Sequence, residues 1–503
     1  MSNNKFLNGL NATNDFIRTE NGAIARSTTN SKLLDMFALG GAYRTRSDDD
    51  CILLFKNAYE ENPIYALKCL FYLGDVRGGQ GERRFFRVCA KWLAKNHTDV
   101  MRRNLPHVPE FRRWDDLYTF VGTPLENEMF QMIKHQLALD IECKTPSLLA
   151  KWLKSENTSS KESRELGKLT RNYLGLSSKQ YRKILSNLRA RINVLERLMS
   201  QKRWDEIEFD KIPSRAGVIY RNAFARHDVE REKNAQVQTY AEFARDTNTK
   251  VNAKVLYPYE CVAKGYNTKF NDETGRLMLE KYWDNLENYF KEATFNGMAI
   301  VDTSGSMWGT PLNVAVSLGM YCAEKAKGPF AGHFMTFSSD PRFVKIEGTD
   351  FWDKIHRMRN AKWGGSTNIE AAFDLMLSVA LENGCSQEEI PENLIVISDM
   401  EFNSCVTNNH NCRNDYFYRP APIAYKTLFE TIEKRWNNAG YKMPKLTFWN
   451  VQARQNNIPM RDNGYVTYVS GFSPSIFEQV MKGLTAYDLM MDKLNSNIYS
   501  VIS

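Results

Sequence analysis

The sequence lacks the long apolar segments that membrane proteins need. None of its 503 residues lies in a run of about eighteen apolar residues, the length that a membrane-spanning helix requires. The first residues, Met-Ser-Asn-Asn-Lys-Phe, contain no apolar segment of the kind that directs secretion. The nine cysteines are scattered without a repeated spacing, which indicates a reduced environment rather than a disulfide framework. We therefore expect a cytoplasmic, intracellular protein that has no membrane partner.

The sequence also lacks the motifs of several enzyme classes. It contains no P-loop, no H-E-x-x-H zinc motif and no nucleophile elbow, and it shows no paired catalytic carboxylates. We therefore expect no enzymatic activity. A metal-assisted hydrolase is kept as an alternative.

Basic charge is concentrated in one short segment. Residues 151–203 carry 14 Lys or Arg and 4 Asp or Glu, an excess of +10, whereas residues 301–503 carry 19 and 21. A local basic stripe is typical of a protein with a polyanion partner. A single charge run is also the ordinary mark of a solvated helix face, so both interpretations stay open at this point.

Two parts of the chain differ in their periodicity. We expect residues 1–30 to form an extended arm. Residues 31–295 have a helical pattern, with predicted helices of roughly ten to twenty residues joined by short turns, and one of these helices spans residues 177–199. Such a pattern predicts stacked helical hairpins, that is, a helical-repeat (HEAT-like) solenoid.

The last part, residues 296–503, alternates short apolar segments with helices. Alternation of this kind predicts a doubly wound (Rossmann-like), mostly parallel sheet, so the fold class is multidomain α and α/β. The predicted strands are 297–302, 332–337, 393–398, 445–451 and 465–469, and the predicted helices are 312–326, 350–359, 368–383, 421–438 and 474–484.

Oxygen-bearing side chains follow two of these predicted strands. One strand runs into Asp302-Thr-Ser-Gly-Ser306, a D-x-S-x-S pattern, and Asp399 follows another. The loop Gly364-Gly-Ser-Thr-Asn368 adds the hydroxyl of Thr367 before a helix. Parallel strands place their carboxyl ends at the ligand-binding edge of the sheet, and hard cations such as Mg²⁺ prefer oxygen ligands. Taken alone, D-x-S-x-S is also explained as a helix cap after a strand, but the three segments together predict a cation site.

Through these three segments, residues 296–503 resemble von Willebrand factor A-type (vWA) domains with a metal-ion-dependent adhesion site. The resemblance implies that Ser304, Ser306 and Thr367 hold Mg²⁺, or another divalent cation, directly. It implies that Asp302 and Asp399 hold the ion directly or through water. It also implies an open coordination position for an oxygen of a partner, so an acidic protein partner is expected there.

A second resemblance rests on motifs of the helical part. The segments are Asp75-Val-Arg-Gly-Gly-Gln-Gly-Glu-Arg83, Arg113-Trp-Asp-Asp-Leu-Tyr118, the helix with Tyr181-Arg-Lys183, Lys202-Arg-Trp-Asp205 and Pro213-Ser-Arg-Ala216. They resemble an uncharacterised family of plants, fungi, large viruses and phages that joins a helical domain to a vWA-like domain. Its layout is similar to that of the Ro autoantigen (TROVE) proteins, rings of helical repeats closed by a vWA domain. Those proteins bind non-coding RNA on a basic surface and pass single-stranded ends through the hole, so the resemblance implies such an RNA partner here.

The candidate RNA-binding residues are basic side chains of the charged segment and of the two motifs beside it. They are Lys179, Arg182, Lys183, Arg189, Arg191, Arg197, Lys202, Arg203, Arg83, Arg84, Arg112 and Arg113. We expect these residues to contact phosphates, so that RNA binding weakens with salt.

The glycine-rich turn Gly78-Gly-Gln-Gly81 has two interpretations. A turn of this kind before a helix can cradle phosphate, and arginines flank it. It lacks the Lys-Ser/Thr ending of a P-loop and follows a helix rather than a strand, which favours a plain inter-helix turn.

Two further alternatives stay open. The vWA-like part by itself can serve as a protein–protein interaction or scaffold module without RNA. The Asn-rich insert at 401–420 contains Cys405, His410 and Cys412, which are the types of residue that bind zinc, although a fourth ligand is missing.

Overall fold

A computed structural model describes residues 14–234, 236–337, 340–360, 366–404, 426–461 and 464–503. The chain divides into two compact units. The sheet unit comprises Met1–Cys69, Tyr257–Asn267 and Leu286–Ser496, and the helical unit comprises Leu70–Leu256, Thr268–Asn285 and Asn497–Ser503. None of the helices in the described ranges is long and apolar enough to cross a bilayer.

Helices dominate the chain before residue 285, which confirms the predicted helical N-terminal region. They are α1 (Lys32–Leu39), α2 (Asp48–Glu61), α3 (Pro63–Gly74), α4 (Arg83–Asn96), α5 (Thr98–Asn104), α6 (Val108–Phe111), α7 (Glu126–Glu142), α8 (Leu149–Trp152), α9 (Lys161–Leu174), α10 (Ser178–Arg191), α11 (Leu195–Ser200), α12 (Ser214–Arg226), α13 (Asp228–Glu232), α14 (Tyr240–Arg245), α15 (Pro258–Gly265) and α16 (Glu273–Asp284). Later helices are α17 (Thr310–Lys325), α18 (Phe351–Asn360), α19 (Ile369–Glu382), α20 (Leu428–Asn438), α21 (Ile476–Val480) and α22 (Ala486–Leu494). Short 3-10 helices include Trp114–Phe120, Trp204–Glu206, Gly305–Met307 and Gln387–Glu389.

Capping boxes fix the start of several helices. At α2 the hydroxyl of Ser47 accepts from the amide of Asp50, whose carboxylate accepts from the amide of Ser47. Ser177 and Gln180 form the same reciprocal pair at the start of α10. Each box satisfies two amides that have no acceptor within the helix, so these polar residues set the helix boundary.

The single helix predicted over residues 177–199 is wrong. The chain forms α10 and α11 there, separated by a turn in which Asn193 has a φ of 49°. A left-handed residue cannot continue a right-handed helix, and asparagine tolerates that conformation better than most residues. Leu188 and Leu195 are buried on either side of the turn, so the apolar spacing alone did not reveal the break.

Within the described ranges, eight strands form two sheets. β1 (Phe16–Arg18) and β2 (Ile24–Arg26) make an antiparallel hairpin. A six-stranded sheet has the order β5-β4-β3-β6-β7-β8. Its strands are β3 (Gly297–Asp302), β4 (His333–Phe337), β5 (Arg342–Lys345), β6 (Asn393–Ser398), β7 (Lys445–Asn450) and β8 (Val466–Ser470).

All neighbouring strands of the six-stranded sheet are parallel except β4 and β5. The prediction of a mixed α/β protein with a mostly parallel sheet in its C-terminal part is therefore confirmed. Every residue of β3 is buried, as expected for a parallel strand covered on both faces. β5 was missed because it is a four-residue edge strand with three exposed side chains and no apolar run.

Residues up to Cys69 belong to the sheet unit, whereas the predicted domain limits of 1–30, 31–295 and 296–503 placed residues 31–69 with the helical domain. An example of this packing is the segment after α1, which lies against β8. A Cβ at Gly41 would lie 2.7 Å from the carbonyl oxygen of Ser470, so only glycine fits there. The Gly41 amide donates a 3.0 Å hydrogen bond to the hydroxyl of Ser470.

The turn at 78–81 is an inter-helix turn between α3 and α4. A Cβ at Gly79 would lie 1.9 Å from the carbonyl oxygen of Tyr72, so this glycine permits the close return of the chain. Glu82 then caps α4 by accepting from the amides of Arg84 and Phe85. Its carboxylate occupies the helix N-terminus that a phosphate would need, which favours the structural role of the turn.

Candidate functional site

Asp302, Ser304 and Ser306 lie side by side where β3 ends. The Oδ1 atom of Asp302 accepts a 2.9 Å hydrogen bond from the amide of Ser304. The hydroxyl oxygens of Ser304 and Ser306 lie 3.0 Å apart. The sharp turn after the strand thus groups one carboxylate and two hydroxyls.

Strand pairing brings Asp399 to the same place. β3 and β6 are parallel neighbours in which Val301 lies opposite Ile397, so Asp302 and Asp399 both leave the sheet at its carboxyl edge. The hydroxyl of Ser398 donates a 2.5 Å hydrogen bond to Oδ2 of Asp302. The strand order reverses between β3 and β6, and such a switch point is where open α/β sheets bind ligands.

Thr367 is tied to the segment that follows Asp399. Its carbonyl oxygen accepts a 3.0 Å hydrogen bond from the amide of Asn403. Its hydroxyl accepts a 2.9 Å hydrogen bond from Nδ2 of Asn21, which also donates to the carbonyl oxygen of Glu401 at 2.6 Å. The structure therefore links all three predicted segments of the cation site through one hydrogen-bond network.

Burial makes the two carboxylates an unfavourable place for negative charge. Burial raises the pKa of Asp302, and the charge of Asp399 raises it further, while hydrogen bonds from Ser398 and Ser304 oppose the shift. Burial likewise raises the pKa of Asp399. Two buried anions at close range are costly unless a cation compensates them.

One oxygen of this pair accepts no hydrogen bond from the described residues, although the guanidinium of Arg454 lies within ion-pair distance of it. The side chain of Asp399 is fully buried, and its Oδ2 has no hydrogen-bond donor in the described part of the chain. The residues present, with two carboxylates and three hydroxyls, fit a hard divalent cation such as Mg²⁺. Across the described ranges no three His, Cys, Asp or Glu residues form a cluster of their own, so this site depends on hydroxyls as well as carboxylates.

Arg454 is a residue of this edge that sequence reasoning missed. Its Nη2 donates to the carbonyl oxygen of Ser306 at 2.9 Å, and its Nη1 donates to Oε2 of Glu20 at 3.0 Å. Its Nε lies 3.5 Å from Oδ2 of Asp399. Arg454 therefore supplies one positive charge beside the buried pair. No local pattern signals it, because it follows β7 and lies far from the motifs along the chain.

Glu401 is a third buried carboxylate beside the site. Burial raises the pKa of Glu401 to about 7. Its Oε2 accepts a 2.7 Å hydrogen bond from the amide of Glu20, and its Oε1 has no partner among the described residues. Between Asp399 and Glu401, Met400 has a φ of 64°, a strained conformation for a residue with a long side chain. Sequence reasoning missed Glu401 as a residue of this site, although an acidic residue two positions after Asp399 could have indicated it.

Three of the candidate RNA-binding arginines are engaged within the helical unit. Arg112 is buried, and its Nε lies 3.1 Å from Oδ2 of Asp116. Arg83 lies 2.8 Å from Oδ1 of Asp116, and Arg113 lies 2.7 Å from Oδ2 of Asp115. Arg112 cannot reach a polyanion from this position, so the structure removes it from the candidate phosphate contacts.

Other candidates cap helices or pair locally. Arg189 donates to the carbonyl oxygens of Ala150 and Leu153 and to the hydroxyl of Ser155, all at 2.8–2.9 Å. Arg191 donates to the last carbonyl oxygens of α7, and Arg203 pairs with Glu206. Arg84 lies in the first turn of α4 and is half-buried.

The remaining candidates leave their charge accessible. Lys179, Arg182, Lys183 and Lys202 are exposed, and Arg197 is half-buried. Arg182 donates to the carbonyl oxygen of Ser178 on its own helix. No carboxylate within the described ranges forms an ion pair with Arg182 or Arg197.

A basic cleft of the helical unit contains part of this set. It has a volume of about 920 Å³ and is lined by residues of α8 and of α10 to α12. Its basic residues are Arg113, Lys151, Arg182, Arg189, Arg197 and Arg215, and its acidic residues are Glu156 and Glu196. Glu156 is paired with Arg171 at 2.8 Å and Arg113 with Asp115 at 2.7 Å, so the cleft keeps an excess of positive charge. The zinc alternative at Cys405, His410 and Cys412 lies outside the described residues.

Comparisons with known proteins cover both parts of the chain. A domain of unknown function (DUF2828) matches residues 19–165 and 140–294, and a second one (DUF7788) matches residues 296–496. The chain is similar to an uncharacterised protein of Acanthamoeba polyphaga mimivirus, with 31% identity over 92% of this chain and 84% of the viral protein. Among solved structures it is similar to the crystal structure of the Deinococcus radiodurans RO (RSR) protein. That match has a TM-score of 0.47 and 14% identity, and it covers 93% of this chain and 99% of the other.

Proposed function

The chain belongs to the family of the DUF2828 domain, and we propose that it binds RNA, single-stranded or non-coding, through the basic cleft of its helical unit. The observation that carries the proposal is the accessible charge of that cleft. Six basic side chains line it against two glutamates. Arg113 is paired with Asp115 and Glu156 with Arg171, so positive charge remains in excess, and Arg182 and Arg197 have no carboxylate partner in the described ranges. Phosphate contacts supply most of the affinity of nucleic-acid binding that does not depend on sequence.

Aromatic side chains in the same cleft suit unpaired bases. Trp152, Tyr181 and Tyr220 are among its lining residues. The guanidinium of Arg113 lies 3.5 Å from the centre of the Trp152 ring, which holds that ring in place. Tyr181 is buried, and its hydroxyl donates to the carbonyl oxygen of Lys154, so it forms the wall of the cleft rather than a stacking surface. Stacking on an aromatic ring accepts any base, which favours single-stranded RNA over a duplex.

The test is a titration of labelled single-stranded RNA at several salt concentrations. We expect the double variant Arg182→Ala, Arg197→Ala to bind less tightly than the original protein. Because two phosphate contacts are lost, the slope of log affinity against log salt should become shallower by about 1.4. Both side chains lack a carboxylate partner in the described ranges, so folding should be preserved.

Arg226→Ala is the matched control. Arg226 is exposed at the end of α12, outside the cleft, and donates to the carbonyl oxygen of Asn222 as Arg182 does to Ser178. It should leave both affinity and salt slope unchanged. Equal, salt-insensitive binding by the original protein and the double variant would contradict the RNA proposal.

The second function that a specific observation favours is docking at a divalent cation site. Oδ2 of Asp399 accepts no hydrogen bond from the described residues, and burial together with the charge of Asp399 raises the pKa of Asp302. Both observations support a cation there. The residues that would hold Mg²⁺ are Asp302, Ser304, Ser306, Thr367 and Asp399. The bound ion would be coordinated by a carboxylate oxygen of an acidic protein partner. Docking of this kind is the role that the vWA resemblance implies for residues 296–503. If the protein docks a partner in this way and binds no RNA, it is the interaction module of the alternative interpretation.

Calorimetric titration with Mg²⁺ tests the cation site directly. We expect binding by the original protein and at least a tenfold loss, about 1.4 kcal/mol, in Asp399→Asn. RNA affinity should stay unchanged in that variant. Absence of Mg²⁺ binding by the original protein would contradict the cation site and leave the RNA proposal standing.

We propose binding rather than catalysis as the function. A nuclease assay on single-stranded RNA with Mg²⁺ is the check. Turnover that disappears in Asp399→Ala would instead establish the metal-assisted hydrolase.

A further inference from the structure

The turn of the N-terminal hairpin lies on the candidate cation site. Residues 19–23 connect β1 and β2, and this turn is bonded to the segment that follows Asp399. The hydroxyl of Thr19 donates to the carbonyl oxygen of Phe402 at 2.6 Å, and the amide of Ala23 donates to the same oxygen at 3.3 Å. The amide of Ser404 donates to the carbonyl oxygen of Asn21 at 3.2 Å.

Two side chains of this turn reach groups of the site. Asn21 donates to the hydroxyl of Thr367 at 2.9 Å, and Thr367 is one of the five residues of the site. The Glu20 carboxylate contacts Arg454, which also lies beside Asp399 and Ser306. One guanidinium therefore separates the carboxylate of Glu20 from that of Asp399.

Glu20 has the chemistry that a docking partner would bring. A divalent cation held by two carboxylates and three hydroxyls accepts a further carboxylate oxygen. Glu20 is a half-exposed carboxylate, 44% accessible, on a turn whose backbone is held in place by hydrogen bonds. Because the turn is part of the same chain, this carboxylate is present at the site at a high effective concentration.

We propose that Glu20 is an internal ligand of the cation site, so that the bound ion fastens the N-terminal hairpin to the sheet unit. The inference rests on the proposed cation site. An acidic partner would then have to displace Glu20 before it could dock. Asn21, by engaging Thr367, holds the turn in register for that contact.

Hydrogen exchange of the full chain, with and without Mg²⁺, tests the proposal. The reporters are the amides of Gly22, Ala23 and Arg26, which donate to Thr19, Phe402 and Ile458. In the original protein, saturating Mg²⁺ should slow their exchange by about tenfold, since the ion would oppose local opening of the hairpin. In Glu20→Gln the slowing should fall below about twofold, although calorimetry should still detect Mg²⁺ binding at Asp302 and Asp399.

Glu388→Gln is the matched control. Glu388 is exposed on the short helix Gln387–Glu389, before β6 and thus away from the carboxyl edge of the sheet. It should behave as the original protein in both measurements. Equal slowing in Glu20→Gln and in the original protein would overturn the internal ligand and leave the cation site intact. Absence of Mg²⁺ binding by the original protein would overturn both.

Discussion

The hydroxyl of Ser398 donates a 2.5 Å hydrogen bond to Oδ2 of Asp302, joining the ends of two parallel strands that lie 96 residues apart. This bond gives the buried carboxylate one of its few neutral donors. It lowers the pKa of Asp302 but does not outweigh burial and the charge of Asp399, which raise it. The two acids are therefore positioned by the sheet, and the single positive charge of Arg454 compensates only one of them.

Asp302→Asn should remove Mg²⁺-dependent stabilisation without destabilising the metal-free protein. The raised pKa of Asp302 indicates that its charge is unfavourable in the folded state, and asparagine keeps the shape without that charge. With Mg²⁺ at about one hundred times its Kd, the original protein should gain about 2.7 kcal/mol in the free energy of unfolding. Thermal unfolding with Mg²⁺ and with a chelator measures both effects. A variant that still gains stability from Mg²⁺ would contradict the assignment.

Arg454→Gln should bind Mg²⁺ more tightly than the original protein. The guanidinium of Arg454 lies 3.5 Å from Asp399 and supplies positive charge where the ion would bind, so its removal leaves more uncompensated negative charge. The metal-free variant should in turn be less stable. Calorimetric titration measures the affinity, and chemical unfolding in chelator measures the stability. Weaker Mg²⁺ binding would show that Arg454 mainly organises the site through its bond to Ser306.

Asp116→Asn should destabilise the helical unit at neutral pH by roughly 3–5 kcal/mol, because it leaves the buried guanidinium of Arg112 without its charged partner. Burial alone would raise the pKa of Asp116, but the guanidiniums of Arg112, Arg83 and Arg87 hold that pKa below its usual range. A carboxylate whose pKa is lowered on folding stabilises the folded state at pH values above its unfolded pKa of about 4. This stabilisation is lost as the pH falls through the lower pKa of the folded state.

The difference between the original protein and Asp116→Asn should therefore shrink as the pH falls below about 4. Urea unfolding over a pH series measures it. Asp210→Asn, at an exposed aspartate of the same unit, is the control and should show no such difference. A stability gap that stays constant down to the acid-unfolding range would contradict the role given to Asp116.

Substitution of Arg189 should mainly reduce stability, whereas substitution of Arg182 should mainly reduce RNA affinity. Arg189→Ala removes three hydrogen bonds between α10 and the residues around α8, so we expect a loss of roughly 2–3 kcal/mol in the free energy of unfolding. Arg182→Ala should change stability by less than about 0.5 kcal/mol, since the side chain is exposed. Chemical unfolding of both variants, next to RNA titration, gives the comparison. If Arg182→Ala unfolds as easily as Arg189→Ala, its loss of RNA affinity could not be assigned to the cleft.

Local patterns predicted much of the sheet unit. The strand at Gly297–Asp302 matched its predicted limits, because a buried parallel strand is a continuous apolar run that ends at a polar residue. The break at Asn193 was not predictable from apolar spacing, since the buried leucines continue on both sides of it. The basic residues showed the same limit, although composition located the charge at 151–203. Arg112 is buried, and Arg189 and Arg191 donate to backbone carbonyl oxygens, so only the tertiary structure distinguishes them from Arg182 and Arg197.

The sequence by itself determined the change from helical to α/β pattern, the residues that leave the ends of β3 and β6, and the position of the basic segment. These properties depend on residue type and short spacing, which are local. Only the tertiary structure decided which charges are accessible and which groups surround the two acids. Asn21 and Thr367 meet across 346 residues of chain, and Arg454 reaches Glu20 across 434. Contacts at such separations follow from the packing of the whole unit, and no local pattern encodes them.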